Sequence, residues 1–358
     1  MSDHCENPTR HGPDRRDFLQ TAGVIGAGIA LSESFLHAQD ALPQLELSNT
    51  GPDKIPRKPF GRTREHFSII GIGGYSLGDA PSLREAIAIV HEAIDAGVNF
   101  FDNAWEYHDG KSEEWMGRAL KGKRDKVFLM TKVCTHGRDK QVGLRQLEDS
   151  LKRLQTDHLD LWQIHECVYD NDPERHFAKG GVIEALDEAK KAGKVRYVGF
   201  TGHKSPAIHL KMLSYNYPFD SVQFPLNAFD ASYRSFQKRV LPEVNKRGMA
   251  ALGMKSLGGN GQPITKGVLT VEEALRYAMS LPVATTISGI DSLVVLRQDL
   301  AIARGFRPMT VEDMEALSRR CAVAAGDGHL ELYKSTMKYD GDVGRGQHGL
   351  PSHKELPL

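Results

Sequence analysis

The sequence predicts an α/β protein, a single (β/α)8 barrel of the TIM type. From Arg57 onward, short apolar runs alternate regularly with amphipathic stretches, which is the pattern of repeated βα units. Eight apolar runs have the length of a strand. The glycines of 71–78 do not match the G-x-G-x-x-G fingerprint of an open dinucleotide-binding sheet, and no capped helix is predicted directly after them. A closed parallel barrel is therefore favoured over an open doubly wound sheet.

The strands and helices of this barrel are predicted from the period of the apolar residues. The predicted strands are 68–72, 98–102, 126–132, 158–164, 194–200, 220–223, 249–254 and 283–287. The predicted helices are 83–96, 140–154, 181–192, 232–247, 271–280 and 291–303, with a further one at 310–325. In 140–154, for example, leucines recur at spacings of three and four residues, which places them on one face of a helix.

Segments without the alternating βα pattern flank the predicted barrel, which spans 57–305. Residues 39–56 carry three prolines and no periodicity, so they predict a linker. Residues 306–358 predict one helix followed by an irregular tail, to which the sequence assigns no role. The chain is thus expected to be one domain with an N-terminal signal segment and a C-terminal extension.

Residues 1–38 predict a twin-arginine signal peptide. Arg15 and Arg16 precede an uncharged apolar run at 21–32, which is too short to span a bilayer, and Ala38 offers a small residue for cleavage. The alternative is a basic tail with a chance apolar patch. The signal predicts export to the periplasm by the twin-arginine route, without stable membrane insertion once the signal is removed.

Composition points to a small-molecule partner. Lysine plus arginine and aspartate plus glutamate both number 46, and no long run of either sign offers a face for nucleic acid. The four cysteines lie far apart, without CxxC or Cys/His ligand spacing, so no metal site is predicted. Cys5 falls in the predicted signal, which leaves an odd number and makes a complete disulfide framework unexpected.

Polar residues at the carboxyl ends of the predicted strands are the candidates for catalysis, because active sites of parallel barrels form there. Asp102 ends one strand and Tyr107 follows five residues later, Lys132 ends the next strand, and His165 follows the one after. Each alone has an ordinary explanation as a helix cap, a loop aromatic, a solvated strand end or a core histidine. Their combination favours a proton-transfer site.

The chemistry of the four residues suits reduction of a carbonyl. A tyrosine hydroxyl has a pKa of about 10 in water. We expect the Lys132 ammonium to lower the pKa of Tyr107, and Asp102 to hold that lysine charged. His165 is expected to donate a hydrogen bond to the substrate oxygen. Tyr107 then protonates the oxygen while a nicotinamide delivers hydride to the carbon.

Residues 97–132 resemble the signature of the aldo-keto reductase family, in which an aspartate, a tyrosine five residues on and a lysine at the end of the next strand recur. Residues 160–165 are similar to the segment that carries the family's histidine, and 57–74 to the hairpin that closes the bottom of such barrels. The resemblance covers 57–305. It implies an NAD(P)-dependent oxidoreductase acting on an aldehyde, ketone or sugar, with Asp102, Tyr107, Lys132 and His165 as the catalytic tetrad.

The resemblance also implies that NADP(H) or NAD(H) is the cofactor. The implied cofactor-binding residues are Thr201, Gln223, Met254, Ser288, Gly289 and Asp299. Met254 stands where the family usually has an aromatic ring, and Asp299 where an asparagine is common. Gly289 and Val295 stand where NADP-preferring members place a lysine and an arginine to meet the 2′-phosphate. We therefore expect NAD to be accepted at least comparably with NADP.

Two other classes of function fit parts of the sequence. One is a nicotinamide-binding accessory or sensor subunit with little turnover, against which the complete tetrad argues. The other is a barrel isomerase or lyase acting on sugars, which fits an export signal equally well. A reductase would turn over a reactive aldehyde, whereas an accessory or sensor subunit would not. Nicotinamide absorbance would change during turnover by a reductase, whereas it would not change with an isomerase or lyase.

Overall fold

Eight parallel strands form a closed ring at the centre of the computed structural model, which describes residues 45–51, 53–134 and 139–356. The strands are β3 (Ile70–Gly73), β4 (Phe100–Asp102), β5 (Phe128–Val133), β6 (Leu159–Ile164), β7 (Val195–Thr201), β8 (Ser221–Pro225), β9 (Ala250–Met254) and β10 (Thr285–Gly289). They pair in chain order, and β10 closes the ring between β9 and β3 through Thr285 opposite Leu252 and Thr286 opposite Ile70. The predicted barrel is confirmed, and each predicted strand overlaps one of these.

An antiparallel hairpin precedes the barrel and fills its amino end. The hairpin consists of β1 (Arg57–Pro59) and β2 (His66–Ser68). Phe67 lies in β2, and its ring centroid is 4.9 Å from that of Phe100 and 4.4 Å from that of Phe128. Phe100 and Phe128 are the first residues of their strands. Because these rings are buried, the interior of the barrel is packed at the end opposite the candidate site.

Helices follow the strands, and those other than the last two surround the barrel. They are α1 (Gly74–Gly78), α2 (Leu83–Asp95), α3 (Lys111–Ala119), α4 (Lys140–Leu154), α5 (Asp172–Phe177), α6 (Val182–Lys191), α7 (Pro206–Ser214), α8 (Phe236–Arg239), α9 (Leu241–Lys246), α10 (Gln262–Thr265), α11 (Val271–Ser280), α12 (Leu293–Arg304), α13 (Val311–Ala325), α14 (Leu332–Ser335) and α15 (Asp342–Gln347). The Asp139 side chain caps α4 by accepting a hydrogen bond from the Gln141 amide at 2.6 Å.

The helices differ from the prediction in two ways: one predicted helix is divided, and α1, α3, α5, α7, α10, α14 and α15 were not predicted. The single helix expected over 232–247 is the pair α8 and α9, with Pro242 in the first turn of α9. A proline lacks the amide hydrogen that would continue the earlier helix, so the helix restarts there. The short helix α1 begins directly after β3, with no side-chain cap at Gly73.

The C-terminal segment, residues 327–356, crosses the carboxyl end of the barrel. It contains α14 and α15, and its side chains and amides meet the loops that follow four consecutive strands. The contacts join Lys334 to Asp230, Asp340 to Lys204, Gly341 to Glu166, Gln347 to Cys134, and His348 to Asp172. Lys334, Asp230 and Glu331 form a fully buried ion cluster, with distances of 2.6 and 2.8 Å from the lysine. This segment therefore forms one wall above the strand ends.

The predicted signal peptide and residues 39–44 and 52 of the predicted linker lie outside the described residues. Among the helices of residues 45–51, 53–134 and 139–356, none combines the length and the apolar composition that a membrane span requires.

Candidate active site

The ends of two neighbouring strands, β4 and β5, bring Asp102, Lys132 and Tyr107 together. Asp102 is the last residue of β4, Lys132 lies near the end of β5, and Tyr107 begins a 3-10 turn after β4. The Lys132 ammonium donates to the Asp102 carboxylate, to the Asn103 carbonyl at 2.7 Å and to the Tyr107 hydroxyl at 3.4 Å. Asp102 and Lys132 are only 4% and 1% exposed, so this ion pair is shielded from water.

The pKa of Tyr107 differs from the expectation drawn from the sequence. Burial, and then the charges of Asp102, Glu106 and Glu166, raise the pKa of the Tyr107 hydroxyl well above its usual value. This direction is opposite to the expected lowering. Burial is its largest cause, and each of the three carboxylates also disfavours a phenolate. The hydroxyl is held in its protonated form at neutral pH.

His165 lies next to this group and is oriented by a glutamate that the sequence did not single out. It follows β6 directly, and its ring centroid is 5.5 Å from that of Tyr107. Its Nδ1 contacts the Glu106 carboxylate in a close hydrogen-bonded pair. Although burial raises the pKa of Glu106, the charge and hydrogen bond of His165 outweigh burial and lower it. Glu106 is thus ionised and turns the other ring nitrogen, Nε2, away from itself.

Three of the predicted cofactor-binding residues lie on the next three strands, Thr201 and Met254 at strand ends and Gln223 in the middle of β8. Thr201 and Gln223 are register partners on β7 and β8, and Met254 ends β9. The Gln223 amide nitrogen lies 3.7 Å from the Met254 sulfur. The Gln223 carbonyl oxygen is buried and has no hydrogen-bond partner among the described residues. A buried amide oxygen needs a donor, and a carboxamide such as that of nicotinamide supplies one, so these residues fit the predicted cofactor.

The remaining three predicted cofactor-binding residues lie at β10 and α12. Ser288 and Gly289 end β10, and the Ser288 hydroxyl donates to the Asp299 carboxylate at 2.7 Å. Burial raises the pKa of Asp299 to about 6. At Gly289 an added Cβ would lie 2.6 Å from the Ser76 hydroxyl oxygen. The glycine therefore allows α1 to pack closely against the end of β10.

In α12, which follows β10, Arg297 is already paired, and position 295 is a valine rather than a cation. Arg297 holds the Glu92 carboxylate in a bidentate pair, at 2.8 and 3.0 Å, on the neighbouring helix α2. Val295 packs against the hydrophobic core. No cation therefore occupies the position at which the family's NADP-preferring members place an arginine, and Arg297 is engaged elsewhere.

Three further charged residues face the site, and each is the chain neighbour of a residue predicted from the sequence. Glu106 precedes Tyr107, Glu166 follows His165, and Lys255 follows Met254. Position after a strand end was the available signal, but the direction of each side chain depends on backbone geometry that a sequence pattern does not contain. Among the described residues, no group of three or more His, Cys, Asp or Glu side chains is arranged to hold a metal ion.

Known proteins resemble the chain over the region that forms the barrel. A sequence model of the aldo/keto reductase family matches residues 69–263. The uncharacterized oxidoreductase YqkF of Bacillus subtilis is 27% identical over 303 residues, which cover 73% of this chain and 95% of that protein. The aldo-keto reductase YhdN of the same organism is 30% identical over 224 residues, covering 59% of this chain and 62% of that protein.

The fold is also shared with solved structures. An aldo/keto reductase from Klebsiella pneumoniae, in complex with NADP and acetate, superimposes with a TM-score of 0.60 at 22% identity. That superposition covers 73% of this chain and 93% of the other.

Proposed function

Because the chain belongs to the aldo/keto reductase family and is an oxidoreductase dependent on NAD(P), we propose that it reduces an aldehyde, ketone or sugar carbonyl, or oxidises the alcohol, with Tyr107 as general acid or base. One observation supports this assignment above the others. The Tyr107 hydroxyl lies 3.4 Å from the Lys132 ammonium, inside a buried charge network at the carboxyl end of the barrel.

The residues of the chain supply a proton and stabilise charge. Thr201, Gln223 and Met254 would hold NAD(P)H, which would supply hydride to the carbonyl carbon when bound. Tyr107 holds the proton that the carbonyl oxygen receives. When the proton leaves, the Lys132 ammonium faces the new phenolate and stabilises it, and Asp102 keeps that ammonium in place.

His165 meets the substrate oxygen in this proposal. Nδ1 of His165 is paired with Glu106, so Nε2 is the ring nitrogen left to contact the substrate. An oxygen that gains negative charge requires a hydrogen-bond donor, and we assign that role to Nε2.

A panel of carbonyl compounds tests the reductase proposal directly. Purified protein is mixed with NADPH or NADH and with aldehydes, ketones and aldoses, and nicotinamide absorbance is followed. Steady loss of the reduced cofactor, dependent on a carbonyl, is expected. An accessory or sensor subunit would bind the cofactor without this loss, and that result would contradict the proposal.

We propose that the enzyme uses NADH and NADPH to a comparable extent, although the solved relative from Klebsiella pneumoniae is in complex with NADP. The support is the absence of a free cation at Gly289 and Val295 and the pairing of Arg297 with Glu92 among the described residues. The ratio of kcat/KM for NADPH to that for NADH is expected to stay below about a hundredfold, which corresponds to roughly 3 kcal/mol.

The variant Arg297→Leu provides the control for this prediction. Its cofactor ratio should equal that of the wild type, because the guanidinium is engaged by Glu92 and not by the cofactor. A preference for NADPH above about a hundredfold, or a ratio that collapses in Arg297→Leu, would show that a cation reaches the 2′-phosphate.

We also propose that the chain is exported by the twin-arginine route, which fits an enzyme that must leave the cytoplasm folded. The support is the pair Arg15 and Arg16 before the uncharged run at 21–32. The double change Arg15→Lys and Arg16→Lys should leave an unprocessed form in the cytoplasm, detected by fractionation and mass. Arg10→Lys is the matched control and should be exported normally. Appearance of a processed, exported form of the double variant would contradict the proposal.

A further inference from the structure

Glu166 presents a carboxylate to the site that the proposed reaction does not use. Its φ of 51° is the left-handed conformation, which is unfavourable for a residue with a side chain and is often retained where function requires it. One oxygen, Oε2, accepts a hydrogen bond from the Gly341 amide at 2.8 Å. The other oxygen has no partner within the described part of the chain. Glu166 is 8% exposed and contributes to the raised pKa of Tyr107, so its charge lies within electrostatic reach of the reacting hydroxyl.

Lys255 presents an ammonium to the same space. It follows β9 and has a φ of 56°, a second unfavourable conformation at a strand end of the site. Its Nζ lies 5.5 Å from the ring centre of Tyr333 and 5.4 Å from that of Tyr339. Across residues 45–51, 53–134 and 139–356, no carboxylate is close enough to form an ion pair with it. Burial lowers the pKa of Lys255, and the nearby charge of Glu166 raises it.

Aromatic rings flank these two charges. Tyr75 is 57% exposed, and its ring is edge-on to that of Tyr107 at 5.4 Å. Tyr339 comes from the C-terminal segment, directly before Asp340, which is buried and pairs with Lys204 at 2.7 Å. Burial, and then the neighbouring Tyr75 hydroxyl, raise the pKa of Tyr339. The entrance to the site thus combines hydrogen-bonding charges with aromatic rings.

We propose that Glu166 and Lys255 bind hydroxyl groups of the substrate, so that the enzyme acts on a polyhydroxylated carbonyl compound, an open-chain sugar. This inference rests on the proposed carbonyl reduction. A carboxylate with a vacant oxygen accepts from hydroxyls, an ammonium donates to them, and the aromatic rings pack against the C–H faces of a sugar. An alkyl aldehyde would remove water from both charges and give no hydrogen bond in return, which strongly disfavours its binding.

The test compares two substrates of equal chain length, D-xylose and pentanal. The measured quantity is the ratio of kcat/KM for D-xylose to that for pentanal in the wild type, in Glu166→Gln and in Lys255→Met. Any effect of the lost charge on the Tyr107 proton acts on both substrates, so it cancels in this ratio. Loss of a hydrogen bond to a charged group is expected to lower the ratio by at least about tenfold in each variant. Glu114→Gln, at an exposed position on α3, is the matched control.

The outcomes separate this inference from the reductase proposal. A ratio that is unchanged in either variant, with turnover of both aldehydes, overturns the hydroxyl-binding pair and leaves the reductase intact. A wild type that prefers glyoxylate and loses that preference only in Lys255→Met assigns an anion site to the lysine, and also overturns the pair. A wild type that reduces no carbonyl overturns the reductase proposal and this inference with it. Thermal unfolding of each variant excludes misfolding as the cause of a changed ratio.

Discussion

Tyr107→Phe is expected to lower kcat for carbonyl reduction by about a hundredfold or more while NADPH still binds, since general acid catalysis typically contributes that much. The change removes the hydroxyl that lies 3.4 Å from the Lys132 ammonium. It keeps the ring, whose edge contacts with Tyr75 at 5.4 Å and His165 at 5.5 Å need no oxygen. The measurements are single-turnover reduction rates and cofactor binding by fluorescence.

Tyr215→Phe supplies the control for this loss. Tyr215 follows α7, is 40% exposed and stacks on Phe177, so the same chemical change there should leave kcat unaltered. If Tyr107→Phe keeps more than about a tenth of wild-type turnover, another group donates the proton.

The pH dependence of kcat follows from the raised pKa of Tyr107. The protonated hydroxyl that reduction needs persists through neutral pH, so this group causes no loss of kcat near pH 7.

The barrel was predictable from the sequence because its elements are set by local patterns. Each strand is a short apolar run between amphipathic stretches, and that pattern depends only on which neighbours in the chain are buried. The boundaries of α4 and α11 match the predicted 140–154 and 271–280 because capping residues, Asp139 and Thr270, stand directly before them. The break between α8 and α9 was missed although Pro242 marked it.

The C-terminal segment was not predictable because its stability comes from distant residues. Lys334 is a fully buried cation only because Asp230, 104 residues earlier, lies against it, and Gly341 meets Glu166 across 175 residues. Nothing in the periodicity of 327–356 contains these contacts. The same reason explains why the tetrad was predicted and its charged neighbours were not. The four residues lie at or after strand ends in a recurring order, whereas the pairing of Glu106 with His165 depends on the path of a loop.

Lys132→Met is expected to lower both activity and stability. It removes the cation beside the Tyr107 hydroxyl, so kcat/KM should fall by about a hundredfold or more. It also leaves the Asp102 carboxylate, only 4% exposed, without its ion-pair partner. Breaking a buried ion pair in this way typically costs about 3–5 kcal/mol of the free energy of unfolding. Urea denaturation and steady-state kinetics measure the two effects.

The double variant Lys132→Met, Asp102→Asn separates the two effects, because it replaces the unpaired charge with a neutral amide. Stability should return in part, whereas activity should not. Lys58→Met is the matched control: Lys58 is likewise buried, donates to the Leu281 carbonyl at 3.1 Å, and lies at the amino end of the barrel. It should lose stability without losing kcat. The double variant contradicts this role of Lys132 if it recovers more than about a tenth of wild-type kcat/KM. In that case Lys132 only positions the chain around Asp102, and another group stabilises the phenolate of Tyr107.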